Sequence, residues 1–88
     1  MDTVLVMERA LKHGLSEKQV LQAWENHIDQ VLRIERDDGL IDYKTIGFAS
    51  DGRAIELTAR VKSFGFLIYH ANTPPTERAF RELGLKRR

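Results

Sequence analysis

The sequence predicts an α+β domain: two short N-terminal helices, a mostly antiparallel four-stranded sheet and a short C-terminal helix. Three observations carry this. Apolar residues recur at helical spacing as far as residue 26, then alternate from Ile28 onward. Asp51-Gly52 stands between two alternating runs, the pattern of a hairpin. Pro74-Pro75 closes the last run, because proline cannot donate to a strand ladder.

Leu5, Met7, Ala10 and Leu11 give the first helix a stripe over Thr3–Lys12, and Gly14 suits its C-cap. Ser16 with Gln19 forms a capping box for the second helix, and Leu15 and Val20 are placed as a hydrophobic staple. Val20, Ala23 and Trp24 make its apolar face, and Asn26 is its stop. The strands are expected at Ile28–Arg36, Ile41–Ser50, Arg53–Val61 and Phe66–Asn72. Asp37, Asp38 and Gly39 make the first turn, Asp51-Gly52 a two-residue type I′ turn, and Lys62–Gly65 a longer loop. Thr73 or Thr76 caps the last helix, which ends near Leu83.

These turns set a register: Phe48 opposite Ile55, Ile46 opposite Leu57, Tyr43 opposite Arg60, Ala59 opposite Ile68, and Arg33 opposite Tyr43. One face then holds Leu32, Ile34, Ile46, Phe48, Ile55, Leu57, Ala59, Val61, Phe66 and Ile68, ready to be covered by helices. The other holds Arg33, Tyr43, Thr45, Glu56, Thr58, Arg60, Leu67 and Tyr69. A slip of one residue would turn a strand over.

Composition narrows the function classes. Eighty-eight residues, taken as one domain over 1–88, bury a small core. A net charge of +1 does not by itself announce nucleic-acid binding, although Arg78, Arg81, Lys86, Arg87 and Arg88 make the C-terminus basic. The absence of cysteine excludes disulfides and thiol chemistry. No signal peptide and no apolar run of membrane-spanning length is visible, so a cytoplasmic protein without membrane contact is expected. No metal-ligand spacing and no glycine-rich phosphate loop stand out, and no cofactor is expected.

The polar face offers the chemistry. Arg33, Tyr43 and Arg60 form one cross-strand row, with Thr58 and Tyr69 beside it. Arginine forks match phosphate oxygens and tyrosine rings stack on bases, the composition of a single-stranded RNA surface. An ordinary solvated sheet face with Arg–Tyr packing has the same composition. Among the histidines, His13 sits where a helix dipole favours a cation, His27 at a helix-to-strand junction, and His70 on the core side of the last strand.

Three stretches, in order, resemble the BrnT-type toxins of bacterial toxin–antitoxin pairs, part of the wider RelE-like ribonuclease fold. They are Lys12-His13-Gly14-Leu15-Ser16, the hairpin Ile46-Gly47-Phe48-Ala49-Ser50-Asp51-Gly52-Arg53, and Leu67-Ile68-Tyr69-His70-Ala71 with Thr76-Glu77-Arg78. The resemblance implies a metal-independent endoribonuclease acting on mRNA. Its partners would be RNA or the ribosome and a ribbon-helix-helix antitoxin protein. For that chemistry Arg60, Arg53 and Arg33 are the candidates for charge stabilisation and His13, Lys12, Tyr69 and His70 for proton transfer, and of these Lys12 and His13 fall on a clearly matched motif. Tyr43 and Arg78 join the RNA-binding set. Two departures stand out: the family opens with an aromatic-acidic strand where Asp2–Glu8 reads as helical, and Ala71 or Asn72 replaces an arginine at the end of the last strand. A non-catalytic protein-binding module on a diverged toxin scaffold is the second reading.

Overall fold

The computed structural model describes residues 3–11 and 14–85. Thr3–Val6 is a strand, β1, where a helix was expected. A run of β-branched residues suits a pleated surface better than a helix, and the alternation decides it: Val4 and Val6 pack on the core while Leu5 is 49% exposed. Met7 continues the pairing through its amide to the Ile68 carbonyl, and a 3₁₀ turn follows over Glu8–Leu11. Only the second expected N-terminal helix forms. This α1, Glu17–Glu25, has the expected capping box of Ser16 and Gln19 and the expected stop at Asn26.

Four further strands follow: β2 Leu32–Glu35, β3 Ile41–Phe48, β4 Ala54–Lys62 and β5 Gly65–Asn72. A six-residue helix, α2, spans Glu77–Glu82 behind its Thr76 cap. The sheet is therefore five-stranded and mixed, in the order β1-β5-β4-β3-β2, with β1 parallel to β5 and the other pairs antiparallel. This replaces the expected four-stranded, two-helix start.

The register differs from expectation at one turn and at one bulge, where Thr58 faces His70 instead of Tyr69. Gly52 has φ 87 and its amide bonds to the Ala49 carbonyl, while the Ala49 amide bonds to the Arg53 carbonyl. The connection is a three-residue loop, a type I turn closed by a left-handed glycine, instead of the two-residue type I′ form. Asp51 stabilises it by accepting from the Arg53 backbone amide at 3.0 Å and the Arg53 Nε at 2.8 Å. The extra residue moves β3 by one against β4: Phe48 faces Ala54, Gly47 faces Ile55, Tyr43 faces Ala59 and Asp42 faces Arg60. Every β3 side chain changes sides relative to the expected pairing. The Asp37–Gly39 turn and the pairing of Arg33 with Tyr43 are as expected.

One face of the sheet carries Ile55, Leu57, Ala59 and Ile68 and is covered by α1 through Val20 and Ala23. Gly47 lies under that helix. A Cβ there would stand 1.7 Å from the Ala23 carbonyl oxygen, so only glycine lets the backbones approach this closely. The other face presents Asp42, Lys44, Ile46, Glu56, Thr58 and Arg60, with α2 at one end of it. Leu32, Ile34 and Phe48, expected in the core, belong to this second face.

Candidate functional site

A cavity of about 600 Å³ opens on the second face. Its floor is Thr58 of β4 with Tyr69 and His70 of β5. Lys44 of β3 and Leu32 and Ile34 of β2 form one wall, and Arg9, Arg36, Arg78 and Glu82 form the rim. Tyr69 and His70 are consecutive, yet both line it. A β-bulge allows this: Ala59 still faces Ile68, but Thr58 faces His70, and Tyr69 is the extra residue. The bulge turns His70 out of the core, where the unbroken register puts it.

Two buried carboxylates organise the groove. Asp42 is wholly buried. Its Oδ1 accepts from Arg60 Nε at 2.8 Å, and its Oδ2 accepts from Arg36 Nε at 2.8 Å and from the Tyr69 hydroxyl at 2.5 Å. Burial pushes this carboxyl up, but the hydrogen bonds from Arg60, Tyr69 and Arg36 outweigh it and hold it at about 2. Burial and the neighbouring carboxylate push the Tyr69 phenol above its ordinary value. Its proton is committed to Asp42, so Tyr69 is neither a ready acid nor a ready base. Of its expected proton-transfer role, the ring alone is left to meet a ligand.

Glu56 is the second hub. Its Oε1 accepts from the Thr76 amide at 2.9 Å and the Thr76 hydroxyl at 2.8 Å, which ties the start of α2 to the sheet. Its Oε2 lies 3.1 Å from His70 Nε2 and 3.9 Å from Lys44 Nζ. Burial pushes this carboxyl up too, and the bonds from His70 and Thr76 with the charge of Lys44 bring it to about 2. An ionised Glu56 can only accept, so it fixes a proton on His70 Nε2 and leaves Nδ1 as the ring nitrogen it does not hold. Lys44 also donates to Glu82 at 2.6 Å, and Arg78 Nε lies 3.5 Å from the same carboxylate.

Five cations, Arg9, Arg36, Lys44, Arg60 and Arg78, thus stand in and beneath the groove against three carboxylates, Asp42, Glu56 and Glu82. The excess is positive. No buried polar side-chain atom among the described residues lacks a partner, and the rim arginines Arg36 and Arg78 remain partly exposed beside the carboxylates they pair with. Among the described residues no group of three or more His, Asp or Glu is placed to hold a metal ion.

Of the residues singled out in the sequence, the structure brings Arg60, Tyr69, His70 and Arg78 to this face. It does not bring Arg33 or Tyr43. Arg33 bonds Glu35 at 2.6 Å, and Tyr43 packs edge-on against Phe66 on the side of the sheet that α1 covers. The row of Arg33, Tyr43 and Arg60 is split between the two faces by the one-residue shift at Asp51-Gly52. Arg53 is engaged in that hairpin by Asp51. Lys12 and His13 lie outside the described residues. Asp42, Glu56, Lys44, Arg36 and Arg9 were not expected in a site. The i, i+2 runs Asp42-x-Lys44 and Glu56-x-Thr58-x-Arg60 signal a polar face once the hairpin is read with three residues.

Among the described residues no helix is long and apolar enough to cross a membrane. No protein-family model matches the chain, and no curated protein and no solved structure is similar to it.

Proposed function

We propose that the protein binds single-stranded RNA in the groove on the second face and cleaves it by attack of the RNA's own 2′-hydroxyl. The observation that carries this is His70, oriented by buried Glu56 in a cavity rimmed by arginines. The reaction forms a bond from the 2′-oxygen to phosphorus and breaks the bond to the 5′-oxygen, so it needs a base for the 2′-hydroxyl, a proton for the departing 5′-oxygen and cationic donors for the charged phosphorane. His70 Nδ1 takes the first role and water in the open groove the second; Arg36 and Arg78 take the third, with Lys44 at the wall. No step requires a bound metal. The resemblance to BrnT-type toxins points the same way; the chain opens with a strand, Thr3–Val6, although without the aromatic-acidic composition of the family. It adds a toxin role, with a ribbon-helix-helix antitoxin as the protein partner.

The test is incubation of the purified chain with a single-stranded RNA and its all-deoxy counterpart, in the presence of chelator. RNA alone should be cut, leaving 2′,3′-cyclic phosphate ends. His70→Ala should lower the rate by roughly 10²–10⁴-fold. Cleavage of both strands, or an unimpaired His70→Ala, defeats the proposal.

A second reading, a non-catalytic protein-binding module, draws on a different observation. On the opposite face Trp24, His27, Val31, Tyr43, Thr45 and Phe66 line an open recess of about 290 Å³. Binding of a protein partner lost on Tyr43→Ala, with no RNA cleavage, would favour it.

A further inference from the structure

We propose that Tyr69 and Arg9 form a stacking site for an unpaired purine base at one side of the groove. The proposal rests on the reading of the groove as an RNA site and adds which nucleotide it takes. The Tyr69 hydroxyl is pinned by Asp42 at 2.5 Å and lies 3.4 Å from Arg36 Nη2. The phenol therefore offers a fixed ring and no free proton. Two guanidinium groups lie over this ring, Arg60 and Arg9, each 5.2 Å from its centroid. They are not equivalent. Arg60 is locked by two hydrogen bonds to Asp42. Arg9 is exposed on the 3₁₀ turn and makes no ion pair or side-chain hydrogen bond among the described residues. Its contact with Tyr69 is a cation–π pair at a wet surface, weak enough for a base to replace.

A base entering there gains a rigid aromatic platform below and a mobile guanidinium plane above. Arg36 stands at the edge of the same ring, placed to hold the adjoining phosphate. Stacking strength grows with π-surface, so the site ranks purines above pyrimidines without reading a hydrogen-bonding edge.

The experiment uses two 2′-deoxy hexanucleotides, which bind but lack the attacking hydroxyl: oligothymidylate, and the same strand with one 2-aminopurine. The full chain should quench the aminopurine on binding and hold that strand more tightly than oligothymidylate. Tyr69→Leu should abolish the quench and weaken purine binding by roughly 5- to 100-fold, down to the oligothymidylate level. Arg9→Ala, an exposed change that leaves the buried network intact, should weaken the aminopurine strand more than oligothymidylate. Tight binding of both strands without quench or preference defeats the stacking site and spares the groove. Binding of neither defeats the stacking site and the RNA reading together.

Discussion

Asp42 on β3 and Tyr69 on β5 are joined by a 2.5 Å hydrogen bond that reaches across the intervening strand β4. Arg60 of that strand bonds the same carboxylate. Three strands are thereby tied at one buried atom group, and the loss of the carboxylate is felt by all of them. Asp42→Asn keeps the shape but leaves the guanidinium of Arg60 without its counter-charge. It should cost about 2–4 kcal/mol, at the lower side of a broken buried pair because Arg36 and Arg60 reach solvent. Tyr69→Phe removes one donor to a charged acceptor and should cost about 2 kcal/mol. Urea unfolding of the two variants and of the double variant measures both, and a coupling near zero would show that the pair is not one network.

The two hubs also set an acid limit. Asp42 and Glu56 are each held at about 2 in the folded chain, against 3.8 and 4.5 when free. Their pKa values are depressed by folding, so the stability they contribute is complete above about pH 5. It is lost as pH falls toward 2, where the folded chain gives up its advantage in holding these groups ionised. The loss should approach about 2 kcal/mol per group. Unfolding free energies between pH 7 and pH 2.5 should decline over this window, and Asp42→Asn should flatten part of the decline. A stability that is level from pH 5 to 2.5 contradicts the assignment.

How far the fold could be read from residues turns on two places. Capping at Ser16 and Gln19, the stop at Asn26 and the turn at Gly39 were legible because each is local chemistry. β1 was not, because its partner β5 lies some sixty residues away and four residues of apolar sequence fit either a strand or a helix. The hairpin at Asp51-Gly52 was recognised, but its length was not. Asp-Gly serves both the two-residue turn and the three-residue turn with a left-handed glycine, and the choice reverses β3. Tyr69 and His70 were legible as chemistry-bearing residues; the bulge that aims both at one groove has no signal in their own sequence.

Gly47 tests the other face. It lies inside a strand, at an ordinary φ, so conformational freedom is not the reason for it. The reason is the 1.7 Å that a Cβ would leave to the Ala23 carbonyl, a backbone atom of α1 that cannot rotate away. Gly47→Ala must lift the helix from the sheet and should cost about 3 kcal/mol or more, the upper range for an overpacked core. Thermal unfolding with circular dichroism reads this directly, and a near-neutral substitution would mean that α1 is placed differently.

The division of cations between the two faces gives the sharpest test of the proposed RNA groove. Arg36 and Arg78 rim the groove, whereas Arg33 pairs with Glu35 on the opposite face and Arg53 with Asp51 at the hairpin. Each groove cation that neutralises a phosphate adds about 0.7 to the slope of log affinity against log salt for a single strand. Arg36→Ala and Arg78→Ala should each lower that slope by roughly this amount and weaken binding evenly across sequences. Arg33→Ala and Arg53→Ala should leave it unchanged. All four are substantially exposed, but Arg36→Ala also removes one donor from buried Asp42, so its unfolding transition is measured beside its binding. Titrations of one short RNA between 50 and about 200 mM salt distinguish the faces. If Arg33→Ala flattens the slope and the groove variants do not, RNA runs over the aromatic side of the sheet, and His70 is too far from it to act.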